Sequence, residues 1–158
     1  MKDIFSTNES KAASKVTINS FMMGSLFFVL TLIWTLNPAK FSLFIVAQIV
    51  LAIPLLFVSS LAYAKIGYWK KVQMWDVLGW FTSNVGSIFI LNAVGLITAQ
   101  IFESVAFLYF ILLIVLMAIY SAINIVYTKE TLKEKIFKFS FFVLVLVLGG
   151  ILPLIFNL

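Results

Sequence analysis

The chain has 158 residues, of which 63% are hydrophobic and only 11% are charged, and its mean hydropathy is +1.15. This composition excludes an ordinary soluble domain and indicates an all-α, polytopic integral membrane protein. The net charge of +5 comes from 11 lysines against six acidic residues, which in such a chain indicates contact with anionic headgroups rather than with nucleic acid.

Five apolar segments, each long enough to cross a bilayer as an α-helix, predict a single bundle of five transmembrane helices. The segments are 17–36, 41–64, 77–99, 104–127 and 135–157. We expect residues 1–16 to form a polar, cytoplasmic N-terminal tail. The spacing of Ser6 and Glu9 is that of a capping box, so a short helix leading into the first span is an equally open alternative.

The first two segments each carry small and polar side chains on one side of the predicted helix. These residues are Ser20, Gly24, Thr31 and Thr35 in the first segment, and Gln48, Ala52, Ser59 and Tyr63 in the second. Membrane helices pack closely through small and hydroxyl-bearing residues. We therefore expect both stripes to face other helices.

The polar stretch 65–76 mixes lysines with aromatic residues between the second and third segments. Such a mixture indicates an anchor at the membrane interface, although basic and aromatic residues also occur together on nucleic-acid surfaces. With apolar helices on both sides and no arginine, the anchor is the better interpretation. At the end of this stretch, Asp76 is a suitable N-cap for the third helix.

The third segment is the only long apolar segment with two asparagines well inside it. On a helix, Asn84, Ser87 and Asn92 fall within an arc of about 140°, and Gly95 lies in the same arc. A buried carboxamide costs free energy unless a neighbour forms a hydrogen bond with it. We therefore expect Asn84 and Asn92 to face other helices or a water-lined cavity, with Asn92 bonded to a polar partner outside its own helix.

The last two segments differ in polarity. The fourth carries a stripe that includes Tyr120 and Asn124, which either lines a ligand pocket or contacts another helix. The fifth is nearly all apolar, so we expect it to be the most lipid-exposed helix. Gly149, Gly150 and Pro153 are expected to bend or fray its far end.

The lysines predict the orientation of the bundle. Three lie in the N-terminal tail, three in 65–76 and four in 128–138, whereas the alternate side of the membrane has only Lys40. Because cytoplasmic loops of membrane proteins are enriched in lysine, this distribution predicts a cytoplasmic N-terminus and an outside C-terminus in a cell membrane.

Several kinds of chemistry are disfavoured by the residues that the chain lacks. Without cysteine or histidine, metal sites built from thiolate or imidazole and haem sites that use histidine are excluded, and we expect no cofactor. No charged residue lies at the middle of a predicted span, which disfavours proton coupling. An enzyme is the less favoured interpretation, and its remaining form is a lipid-modifying site at the interface near Asp76 or Glu103.

Two function classes remain open, and the sequence does not separate them. In the first, the protein is a permease or channel for a small solute, with a polar cavity between helices one to four. The candidate lining residues are Thr31, Gln48, Asn84, Ser87, Asn92, Tyr120 and Asn124. In the second, the same groups only hold helices together, and the protein is a non-catalytic accessory or assembly subunit of a larger membrane complex. A homo-oligomer is compatible with the first class.

Overall fold

A computed structural model describes residues 9–36, 41–66, 73–127 and 132–156, except for the side chains of 36, 124–127 and 134. These residues are helical, with short turns between helices and no strand among them. The helices are α1 (Glu9–Leu36), α2 (Leu43–Ile66), α3 (Gln73–Ala99), α4 (Glu103–Tyr127), α5 (Leu132–Leu146), a π-helix (Val147–Ile151) and α6 (Leu152–Phe156).

Within the described residues, five helical stretches are long and apolar enough to cross a membrane, which confirms the predicted all-α class. They are Glu9–Thr35, Leu43–Ile66, Gln73–Ala99, Glu103–Ile123 and Lys135–Phe156. Apart from the start of the first stretch, each lies within a few residues of a predicted segment, because long apolar runs specify a membrane helix strongly.

Two helices, α1 and α3, begin four or more residues earlier than the sequence predicted. α1 begins at Glu9, so residues 9–16 of the expected tail are helical, while Ser6 of the capping box lies outside the described residues. α3 begins at Gln73, which places Asp76 in the first turn rather than at the N-cap. Its carboxylate still lies at the positive end of the helix dipole, so the electrostatic benefit of an acidic residue is retained.

The chain divides into two compact units, Met1–Ile90 and Leu91–Leu158. The first contains α1, α2 and the N-terminal part of α3. The second contains the rest of α3, α4, α5, the π-helix and α6. Each unit has its own buried polar residues, so the two are described separately below.

α1 buries the opposite face from the one predicted. Ser20, Gly24, Thr31 and Thr35 are all exposed, and the buried face is formed by Ala12, Asn19, Leu26, Leu30 and Ile33. The hydroxyls do not require an inward position, because each can bond to its own helix. Thr31 Oγ1 donates to the carbonyl of Phe27 at 2.9 Å, and Thr35 Oγ1 donates to the carbonyl of Thr31 at 2.9 Å.

α2 buries the predicted face. Gln48, Ala52, Ser59 and Tyr63 are all buried, as the stripe of small and polar residues on this helix predicted. The helix continues through Pro54 without interruption, with the proline side exposed. This placement keeps the missing N–H of the proline away from the packed face.

The expectation that the fifth helix is the most exposed was wrong. In α4, only Ala106 and Phe110 are buried among the described side chains. In the last span, the buried residues are Lys135, Phe142, Leu146, Gly150, Pro153 and Leu154. An apolar surface satisfies lipid and protein neighbours alike, so apolar composition alone does not specify which helix lies outermost.

Candidate functional site

The first unit contains a chain of hydrogen bonds that joins three helices. Asn19 of α1 lies at its centre and is only 2% exposed. Its Nδ2 donates to Ser59 Oγ of α2 at 2.9 Å, and its Oδ1 accepts from Ser83 Oγ of α3 at 3.1 Å. Both ends of one carboxamide are therefore used to hold α1 against two different helices.

The chain continues from Ser59 to the backbone of α3. Ser59 Oγ accepts from Asn19 and donates to the carbonyl of Gly79 at 2.9 Å. Gly79 allows this close approach, because a Cβ at this position would lie only 3.1 Å from ring atoms of Tyr63. In this series of hydrogen bonds, the polar side-chain atoms of Asn19, Ser59 and Ser83 all have protein partners, which favours a packing role over solute binding.

A second interhelical contact lies one turn from this chain. Lys15 and Tyr63 are each four residues from a member of it, Asn19 and Ser59 respectively. Lys15 Nζ donates to Tyr63 Oη at 2.7 Å and lies 4.3 Å from the centroid of the phenol ring. The lysine is thus held both by a hydrogen bond and by a cation–π contact.

The phenol of Tyr63 also lies within electrostatic range of Asp76, at the start of α3. Asp76 is 4% exposed. A lysine of α1 and an aspartate of α3 therefore both act on one phenol of α2. The arrangement reduces the cost of bringing two charges to the end of an apolar bundle, because each lies near a charged or polar group.

The second unit is organised around Asn92, which is fully buried. Its Nδ2 donates to the carbonyl of Val145 in α5 at 3.3 Å. This bond confirms that Asn92 has a polar partner from another helix. Its Oδ1, by contrast, has no hydrogen-bond partner among the described residues, so the carboxamide is only half satisfied.

The ring of Phe110 fills the space beside Asn92. A Cβ at Gly150 would lie 2.5 Å from Cε1 of this ring and 2.7 Å from Asn92 Oδ1. A Cβ at Gly95 would also collide with the ring, at Cζ. Glycine is therefore required on both sides of Phe110, since any larger residue would displace the ring.

The π-helix begins directly after α5, where the sequence predicted a bend. Its closing bond runs from the N–H of Leu152 to the carbonyl of Val147. Pro153 follows immediately and has no N–H to donate. The predicted irregularity therefore takes the form of one wide helical turn, a feature that is frequent at functional sites.

The predicted cavity residues are distributed between the two units. In the first unit, Gln48 is buried, Thr31 is exposed, and Asn84 Nδ2 donates at 2.6 Å to the carbonyl of Trp80 in its own helix. Ser87 Oγ donates to the carbonyl of Ser83 at 2.8 Å and lies 3.9 Å from Met22 Sδ of α1.

In the second unit, Asn92 is buried and Tyr120 is 62% exposed. The side chain of Asn124 lies outside the described residues. Of the predicted residues, Ser87 and Asn92 therefore contact another helix through the bonds described here. The cavity itself stays a prediction.

Asn19 was missed by the sequence analysis, although a signal for it was present. It is the only carboxamide residue within the first predicted span. A carboxamide at such a position needs partners more strongly than the hydroxyls that formed the predicted stripe, because it has two donors and an acceptor to satisfy.

No family model matches the chain, and neither a curated protein nor a solved structure is similar to it. Among the described residues, no group of three or more potential ligands is placed to hold a metal ion. The function is therefore inferred from the chain's own residues.

Proposed function

We propose that the protein is a non-catalytic accessory or assembly subunit of a larger membrane complex. The observation that carries this proposal is the outward stripe of α1, formed by Ser20, Gly24, Thr31 and Thr35. Small and hydroxyl-bearing residues in a membrane span are typical of helix–helix contacts. Because this stripe faces away from the buried side of α1, its partner is a transmembrane helix of another protein.

The detailed geometry of the stripe supports such a contact. No atom lies within 4 Å of the position that a Cβ of Gly24 would take, so the backbone there is open to a neighbour. Thr31 and Thr35 already donate to carbonyls of α1, so a partner helix would approach without leaving their hydroxyl donors unsatisfied. At this stripe, a partner helix can therefore come close to the backbone of α1 and meets hydroxyls whose donors are already bonded.

We expect that Gly24→Leu abolishes association with the partner. The added side chain fills the stripe but meets no atom of the chain itself, so the protein should still fold. Purification from native membranes in mild detergent, followed by native mass spectrometry, should give a near-stoichiometric partner for the wild type and none for the variant.

Ala118→Leu is the matched control, since it makes a similar enlargement at an exposed position of α4. It should retain the partner. A wild-type protein that is recovered alone or only as a homo-oligomer would contradict the accessory role.

We infer that this subunit resides in a cell membrane with its N-terminus in the cytoplasm and its C-terminus outside. The ten lysines on one side against one on the other support this orientation. Lys11 and Lys65 are exposed at the start of α1 and the end of α2, which this orientation places at the cytoplasmic face. There they would contact anionic headgroups.

The second candidate function is a permease or channel for a small, uncharged solute. The observation in its favour is the Asn92 Oδ1 atom, which is buried without a hydrogen-bond partner among the described residues. A solute with a hydroxyl or amide N–H would satisfy this oxygen.

Asn92→Leu distinguishes the two functions. If Asn92 only joins helices, its loss removes one bond worth about 0.6 to 2 kcal/mol and lowers the melting temperature without changing solute flux. If Asn92 binds a passing solute, flux falls. We expect the first outcome, measured by thermal unfolding in detergent and by swelling of proteoliposomes in glycerol and urea. Loss of wild-type swelling in the variant would establish the permease instead.

A further inference from the structure

The ring of Phe110 occupies a slot in the second unit that has a glycine on each side. A Cβ at Gly150 would lie 2.5 Å from Cε1 and 2.7 Å from Cζ of the ring, and a Cβ at Gly95 would collide with the same edge. Both walls of the slot are therefore backbone. The space between them fits a flat ring, because no side-chain atom could be added on either side without displacing it.

A buried hydrogen-bond acceptor lies at the edge of this slot. Asn92 Oδ1 lies 2.7 Å from the position that a Cβ of Gly150 would take, which is also the position closest to the edge of the Phe110 ring. The oxygen is fully buried and has no hydrogen-bond partner among the described residues. A phenyl ring has no N–H or O–H to donate, so Phe110 fills the space and leaves the acceptor unsatisfied.

We propose that this slot is a binding site for a lipid-soluble phenol, and that the Phe110 ring fills it when no ligand is bound. The inference goes beyond the accessory role and does not depend on it. Asn92 Nδ2 continues to join α3 to α5 through the carbonyl of Val145 when the ligand is present. The ligand is held in the slot, and no solute passes through the protein.

The surface of α4 offers the displaced ring an apolar place. Leu108 and Ile111, on either side of Phe110 in the sequence, are exposed. Lipid tails are as apolar as a protein interior, so a ring that turns out of the slot loses packing contacts but no hydrophobic stabilisation. Tyr109 Oη donates to the carbonyl of Leu91 at 3.1 Å, which keeps α4 attached to α3 while the neighbouring side chain changes its rotamer.

A phenol matches both features of the slot, whereas simpler molecules match only one. Its ring takes the place of the Phe110 ring, and its hydroxyl donates to Asn92 Oδ1, which removes the cost of a buried unpaired acceptor. A ring without a donor would only repeat the contacts that Phe110 already makes. A saturated cyclic alcohol has the donor but is thicker than the space between two glycine backbones. The ligand arrives from the lipid, into which the Phe110 ring moves.

Two matched probes test the role of the hydroxyl, namely 4-methylphenol and its methyl ether, 4-methylanisole. Binding is measured by saturation-transfer NMR on the protein in lipid nanodiscs, with empty nanodiscs to measure partition into lipid. The wild type should bind 4-methylphenol saturably and about 3- to 10-fold more tightly than the ether. Asn92→Leu should abolish this preference and leave the binding of the ether unchanged. 4-Methylcyclohexanol should bind the wild type more weakly than 4-methylphenol does.

Phe110→Ala tests whether the native ring competes with the ligand. The variant should bind 4-methylphenol about tenfold more tightly than the wild type, because no ring has to be displaced first. An apolar cavity made by a large-to-small change accepts any ring of the right size. The preference for 4-methylphenol over the ether should therefore persist in Phe110→Ala and disappear when Asn92→Leu is added.

The wild type and Asn92→Leu are sufficient for a decision if Phe110→Ala does not fold. A wild type without saturable binding of 4-methylphenol would overturn the proposal. So would a preference for 4-methylphenol that survives Asn92→Leu, since the hydroxyl would then be bonded elsewhere. In either case the Phe110 ring would be a fixed part of the packing between α3, α4 and the π-helix.

Discussion

Replacing Asn19 by leucine should strongly destabilise the first unit. The change removes two interhelical bonds, to Ser59 and from Ser83. It also leaves the Ser83 hydroxyl without its interhelical acceptor. With each membrane hydrogen bond worth about 0.6 to 2 kcal/mol, the loss of both should cost about 1 to 4 kcal/mol in the free energy of unfolding. Reversible unfolding in mixed micelles of lipid and denaturing detergent measures this loss.

Asn84→Leu is the matched control, because it changes the same residue type to the same replacement. Among the described residues, the bond of Asn84 runs to Trp80 of its own helix, so its loss should cost less than that of Asn19. Equal losses for the two variants would show that Asn19 stabilises α1 by itself rather than joining α1 to α2 and α3.

Gly95→Ala should have a large effect in the second unit. The new Cβ would collide with Cζ of Phe110, a residue that is only 1% exposed. Overfilling a packed interior costs about 1 to 3 kcal/mol. The measurement is again the free energy of unfolding.

Gly24→Ala provides the reference for replacing a helical glycine without a collision, since nothing lies within 4 Å of its added Cβ. It should be neutral or slightly stabilising, because alanine is the better helix former. Combining Gly95→Ala with Phe110→Leu, which removes the colliding ring atoms, should cost less than the sum of the single changes. Strict additivity would show that the two residues do not meet.

The five long apolar helices could be predicted from the sequence, since twenty or so apolar residues have few alternatives to a helix that is long enough to cross a membrane. Which face of each helix is buried was harder to predict. On α2 the stripe with Gln48 and Ser59 is buried as predicted, whereas on α1 the stripe with Thr31 is exposed. A threonine hydroxyl that bonds to its own helix is satisfied on either face, so it does not show whether that face packs against another helix of the same chain.

The candidate site was predicted only in part for a related reason. Asn84 and Asn92 have the same side chain and lie on one helix, yet Asn84 bonds to its own backbone and Asn92 to α5. Sequence spacing places both on one arc but does not show which acceptor each will find. That choice depends on which carbonyls of other helices come near, and this is decided by packing between segments distant in the chain.

The hydrogen bonds of Asn19 also constrain the order in which the protein can be assembled during synthesis. Ser59 follows Asn19 by 40 residues and Ser83 by 64, so in the membrane topology that we propose α1 is inserted before either partner has been made. Until then its carboxamide is an unmet polar group in hydrocarbon, which costs free energy. α1 should therefore stay close to the insertion machinery until α2 and α3 emerge, and leave it only as part of a three-helix unit.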